Sequence, residues 1–61
     1  MTIAEYLKKR RKTHQWFADL IEVERTAVGN WINGIRYPRR ELAKRIVEKT
    51  KGQVKIKDIY A

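Results

Sequence analysis

Apolar residues recur at helical spacing in four stretches of this chain, and the breaks between the stretches carry the residues that start and stop helices. In the first stretch Ile3 and Leu7 stand one turn apart with Tyr6 alongside. Thr2-Ile3-Ala4-Glu5 has the spacing of a capping box, in which the Thr hydroxyl accepts from the Glu5 amide and the Glu5 carboxylate reaches back to Thr2. A helix is expected from there to about Arg11. The basic run Lys8-Lys9-Arg10-Arg11-Lys12 closes it, where cations either offset the partial negative charge of a helix end or contact phosphates. Thr13 is a candidate N-cap for a second helix through about Ile21. Phe17, Leu20 and Ile21 form its apolar stripe, small Ala18 lies within that stripe, and Gln15 and Asp19 point away.

Between Glu22 and Glu24 the period breaks and restarts in a new phase. Val23, Ala27, Val28, Trp31 and Ile32 share one side of a third helix, with Trp31 expected in the core. The other side carries Arg25, Thr26, Gly29 and Asn30, which are hydrogen-bonding groups and a glycine rather than the Glu and Lys of a merely solvated face. Asn33-Gly34 is expected to end this helix, because Gly accepts the left-handed conformation that closes one. After Ile35-Arg36-Tyr37, Pro38 stands at or just before a fourth helix running to about Thr50. Leu42, Ala43, Ile46 and Val47 face inward there, while Arg40, Lys44, Arg45, Glu48, Lys49 and Lys51 are expected in water. Gly52 stops it. From Gln53 to Lys57 the period drops to two, which reads as a short strand or an extended tail, with Asp58-Ile59-Tyr60 turning back. The expected fold is therefore all-α, a four-helix domain with a C-terminal tail over 53–61.

Composition narrows what such a domain can be. Sixty-one residues make a single domain, 1–61, and a chain of this size buries only ~60% of its unfolded surface. With no cysteine there are no disulfides and no thiolate metal ligands, so the 43% hydrophobic content must build the core alone. Fifteen Lys and Arg against seven Asp and Glu give +8, a charge that attracts polyanions, nucleic acid first among them. No apolar run reaches the ~20 residues of a membrane span, and the basic residues follow the first apolar segment instead of preceding it as in a signal peptide. The chain is thus expected in the cytoplasm, either at a bacterial nucleoid or in host cytoplasm. Catalysis finds no support: Ser and Cys are both absent, no carboxylate pair is set in a recognisable context, and a short chain hardly encloses a cavity of ~300 Å³. His14 is the only histidine, so no metal or cofactor is expected.

Two short helices joined by a three-residue turn, with a small residue inside the first and a polar outward face on the second, have the pattern of a helix-turn-helix unit, here over about 13–33. The stretch Thr13-His14-Gln15-Trp16-Phe17-Ala18-Asp19-Leu20-Ile21 through Val28-Gly29-Asn30-Trp31-Ile32-Asn33-Gly34 resembles the Cro/repressor family of phage and bacterial regulators, lambda repressor-like and XRE-type. Tyr37-Pro38, Leu42-Ala43-Lys44-Arg45-Ile46 and Thr50-Lys51-Gly52-Gln53-Val54 resemble the branch of short phage Cro proteins and YdaS-type antitoxin regulators. The resemblance implies a sequence-specific regulator of transcription, acting as a homodimer on a two-fold symmetric operator. An antitoxin that also binds a toxin or other protein is the alternative. It implies base contacts from Arg25, Thr26 and Asn30, and backbone contacts from Thr13, His14, Gln15, Asn33, Gly34, Arg36 and Tyr37. The alternating tail offers Val54, Ile56, Ile59 and Tyr60 as candidate dimer contacts.

Two positions depart from the family pattern. Glu22 stands where its turn generally carries Gly, which implies either roughly 1 kcal/mol of strain in a left-handed residue or a slightly different turn. Glu24 begins the third helix and is a poor N-cap. For Arg25 the competing roles are a guanine contact, a phosphate contact and a salt bridge to Glu22. For Gly29 they are close approach to a groove and close packing of another helix. Trp16, one position off its stripe, is either a half-buried edge or a contact for DNA backbone or protein.

Overall fold

The computed structural model describes residues 1–60 and contains five helices: α1 (Ile3–Arg10), α2 (His14–Ile21), α3 (Arg25–Ile32), α4 (Arg40–Lys49) and a single turn, α5 (Ile56–Ile59). The starts of the first two are set by local side chains. Thr2 Oγ1 accepts from the Glu5 amide at 3.2 Å while the Thr2 amide donates to Glu5 Oε1 at 2.8 Å, and Thr13 Oγ1 accepts from the Trp16 amide at 3.0 Å. Each bond satisfies a backbone donor that the helix itself leaves free. Glu24 caps α3 with no side-chain bond, as its chemistry dictates.

Helix ends are made by residues with positive φ. Arg11 (φ 55°) closes α1, Glu22 (φ 67°) closes α2, and Lys51 (φ 55°) with Gly52 (φ 80°) follows α4. Of the two possibilities at Glu22, the left-handed residue is the one present. It lets the Val23 amide donate back to the Ala18 carbonyl at 2.9 Å. Gly34 (φ 73°) plays the same part beyond α3.

Phe17, Ala18 and Ile21 of α2, Val28 of α3, and Ala43 and Ile46 of α4 are completely buried, with Ile3, Tyr6 and Leu7 of α1 closing over them. Tyr6 meets Phe17 edge to face at 6.1 Å between ring centroids. α2 packs against both α3 and α4, so it is the shared centre of the domain.

Four expectations need correction. The tail forms no strand among the described residues. Val54 is fully buried and Ile59 nearly so, and residues 56–59 wind into α5. A lone strand has no neighbour to take its backbone hydrogen bonds, whereas one helical turn satisfies several internally. Asp58 supports that turn by accepting from the Lys55 amide at 3.0 Å. As candidate dimer contacts, Val54 and Ile59 consequently belong to the protein's own core, which leaves Ile56 and Tyr60 at the surface. Trp31 is half-buried rather than central: it lies a turn beyond buried Val28, where its large ring reaches the edge of the core. Arg45 does not stand free in water. It donates from Nη1 to the Ile21 carbonyl at 2.8 Å and lies 3.5 Å from Glu22 Oε2, tying α4 to the end of α2.

Candidate nucleic-acid interface

α3 is held by one side only. Its Val28 is sealed against α2, and this sets the rotation of the helix and turns Arg25 and Thr26 to solvent, with Asn30 half-buried one turn on. These three, with Gly29, Asn33 and His14 from the start of α2, line one shallow depression of about 340 Å³. The fold thus brings together all three expected base-contact residues and two of the expected backbone contacts. An ideal Cβ added at Gly29 would meet nothing within 4 Å, so no neighbouring helix requires glycine there.

The remaining sequence candidates distribute unevenly. Thr13 adjoins His14 and is exposed; its oxygen is occupied by the cap, but its hydroxyl proton is still available to donate. Gln15 is exposed and donates to Asp19 Oδ1 at 2.9 Å, which engages its amide within α2. Gly34 and Tyr37 border a different depression, shared with Trp31, Ile32 and the start of α1. The Tyr37 ring lies 6.1 Å from that of Tyr60. Arg36 is exposed, and its amide joins that of Ile35 on the Asn30 carbonyl, at 3.3 and 2.9 Å, so the loop is anchored to the last turn of α3.

No carboxylate lines the α3 depression. Glu22, which stood as a possible partner for Arg25, lies beside Arg45 instead. Ahead of α2 the charge is positive: Lys12 Nζ stands 5.3 Å from the Trp16 ring centroid and the Arg10 guanidinium 5.3 Å from that of Tyr6. These contacts hold two long cationic side chains against half-buried or buried rings. Sequence reasoning missed both pairs, although the i, i+4 spacing of Tyr6 with Arg10 within α1 carried the signal; Lys12 lies outside any helix and its contact with Trp16 had none. Arg45 left a weaker one, since it lies at the edge of the α4 apolar stripe.

Comparison with known proteins adds no relative: no protein-family model, curated protein or solved structure matches this chain.

What the α3 face can do follows from its own groups. Arg25 presents a planar fork of N–H donors, Asn30 an amide that donates and accepts, and Thr26 a hydroxyl beside a methyl. Among the described residues no three His, Cys, Asp or Glu side chains gather as metal ligands, and no helix is long and apolar enough to cross a membrane. The two carboxylates with displaced acidity lie away from this face. Glu5 is held below the ordinary carboxylate range by the Thr2 amide and then its hydroxyl, and Asp58 by the Met1 amino group and then the Lys55 amide.

Proposed function

We propose that this chain is a sequence-specific double-stranded DNA-binding regulator of transcription, of the Cro/repressor kind, that sets α3 in the major groove. The observation that carries the reading is the convergence of Arg25, Thr26 and Asn30 with His14 and Asn33 around Gly29 on a face without carboxylates. Under this reading α2 and α3 act as a helix-turn-helix pair. Arg25 takes guanine O6 and N7, Asn30 an adenine edge, and Thr26 a thymine methyl; a good bidentate pair discriminates by about 1–3 kcal/mol. Thr13, His14 and Asn33 contact phosphates on either side. The net charge of +8 supports the same partner through counterion release.

Two copies would occupy a two-fold symmetric operator, with half-sites about one helical turn apart. Repression is then steric, by occupation of a promoter, wherever the host keeps its DNA. Contact between copies through the tail is not favoured, because Ile56 and Tyr60 lie beside Arg40 and Lys44, so an isologous contact would gather four cations in one interface.

Selection of random duplexes by the purified chain at about 150 mM salt, followed by sequencing, tests the reading. An enriched motif, inverted if two copies bind, is the expected result. Equal recovery of unrelated duplexes with a steep salt dependence, about −0.9 in the log–log slope for each phosphate neutralised, would leave charge alone as the basis of binding. Absence of duplex binding altogether would overturn the reading. Arg25→Ala should relax preference at one base position, whereas Arg36→Ala should weaken all duplexes alike.

A further inference from the structure

Among the described residues four large apolar side chains stand exposed, and two of them, Ile56 and Tyr60, stand four residues apart, at the start of α5 and just past its end. A third, Tyr37, sets its ring beside that of Tyr60. Ile56 and Tyr60 line a depression of about 550 Å³ together with Arg40, Ala43 and Lys44 of α4, the two cations standing one turn apart. Tyr60 is fixed there, because its hydroxyl donates to the Pro38 carbonyl at 2.6 Å. Grouped exposed apolar side chains mark binding surfaces more often than scattered ones do. Ile56 is 44% and Tyr60 45% exposed, so folding of the single chain leaves about half of each in water.

The charges on the rim decide between occupants. Among the described residues neither Arg40 nor Lys44 has a carboxylate within 4 Å; the ion pairs are made by Met1 with Asp58 and by Arg45 with Glu22. A second copy docked here by two-fold symmetry would bring four cations together on chains that each carry +8. Nucleic acid would satisfy the cations and could stack a base on the Tyr60 ring, but it would leave the aliphatic side chain of Ile56 uncovered. An amphipathic acidic peptide satisfies both: its apolar side chains fill the depression over Ala43, and its carboxylates reach Arg40 and Lys44.

We infer that the α4–α5 groove is a docking site for an acidic, apolar segment of a partner protein. It is separate from the α3 depression, with which it shares no lining residue, so the domain can hold DNA and a protein partner on different surfaces.

The test is display selection of random peptides of roughly 12 residues on the immobilised full chain at about 150 mM salt. The expected winners combine Asp or Glu with Leu, Phe or Trp at helical spacing. A synthetic winner titrated into the labelled chain should shift the amide signals of Ala43, Lys44, Ile56 and Tyr60 and leave those of Arg25, Thr26 and Asn30 in place. Lys44→Glu and Ile56→Asp should each weaken that peptide by at least about tenfold. Duplex binding by Ile56→Asp should persist, which separates this site from the α3 reading. The exposed position of Lys44 makes its variant safe for folding, and the amide spectrum of each variant verifies that. No enriched peptides, winners without acidic residues, or shifts confined to α3 would overturn the proposal. So would a concentration-dependent dimer that Ile56→Asp abolishes, or a thymine oligonucleotide that moves the same four amides in place of the peptide.

Discussion

An alanine at position 29 would touch no other part of the protein, yet the chain places glycine there, in the middle of an eight-residue helix. Glycine in a helix interior is destabilising by roughly 0.5–1 kcal/mol relative to alanine, because it loses more backbone freedom on folding. Nothing inside the molecule offsets that. Under the DNA reading the compensation is intermolecular, since an absent Cβ allows α3 to approach a groove closely. Gly29→Ala should therefore raise the melting temperature, by about 4–8 °C for each kcal/mol gained in a domain of this size, while weakening the selected duplex. Thermal denaturation and duplex titration on the same preparation check both halves. Unchanged duplex affinity would remove close approach as the reason for glycine. Glu22 presents the opposite case, a side chain where glycine would be easier. Its φ of 67° carries strain of about 1 kcal/mol, and its ion pair with Arg45 joins groups that are 78% and 41% exposed, where such pairs contribute little. Glu22→Gly should raise the unfolding free energy, read from urea denaturation, by somewhat less than about 1 kcal/mol. Arg45 keeps its bond to the Ile21 carbonyl in that variant. A fall in stability would show that the carboxylate, not the backbone, governs the turn.

At the level of elements, the junction after α4 depends on one hydroxyl. Thr50 is 1% exposed; its Oγ1 donates to the Ile46 carbonyl at 2.7 Å and accepts from the Val54 amide at 3.2 Å. The second bond satisfies a buried amide at the point where the chain leaves α4 and carries Val54 into the core. Thr50→Val keeps the shape and orphans that amide, which costs about 1–3 kcal/mol. Urea unfolding should register the loss, hydrogen exchange should accelerate at Val54, and Thr50→Ser should recover most of both. The Thr-Lys-Gly-Gln-Val run therefore has a physical content of its own. Threonine stitches the helix end, Gly52 supplies the second positive φ with its amide on the Val47 carbonyl at 2.8 Å, and valine enters the core.

For the whole molecule, the first and last segments meet at a charged contact. The Met1 amino group donates to Asp58 Oδ2 at 3.0 Å and to the Gln53 carbonyl at 2.8 Å, so α1 and α5 are linked across the length of the chain. Asp58 titrates below its ordinary value in the folded state, and Glu5 does the same. A depressed carboxylate pKa means that the folded form holds the proton less tightly than the unfolded chain does. Its stabilisation is complete above the unfolded value of about 3.9 for Asp and is lost as pH falls through the folded value. The melting temperature should consequently be level between about pH 5 and 7 and decline below about pH 4. Asp58→Asn should start lower near neutrality and decline less steeply in acid. A parallel decline in the two proteins would mean that other carboxylates dominate acid unfolding.

The sequence by itself determined what depends on neighbours three or four residues away. The caps at Thr2 and Thr13, the bare N-cap at Glu24 and the close of α3 before Gly34 are all local, and each has the form its residue chemistry requires. The polar face of α3 was legible for the same reason, because helical period alone puts Arg25, Thr26 and Asn30 on one side. Only the tertiary structure decided what depends on elements far apart in the chain. A period of two over five residues fits a strand, but without a neighbouring strand Val54 turned into the core and residues 56–59 became α5. Packing set Trp31 at the edge of the core and brought Arg45 to the end of α2. It also gathered His14 with the α3 residues, and Arg40 and Lys44 with Ile56 and Tyr60. Side-chain periodicity reports which residues share a face; which faces meet is settled by how the elements exclude water together.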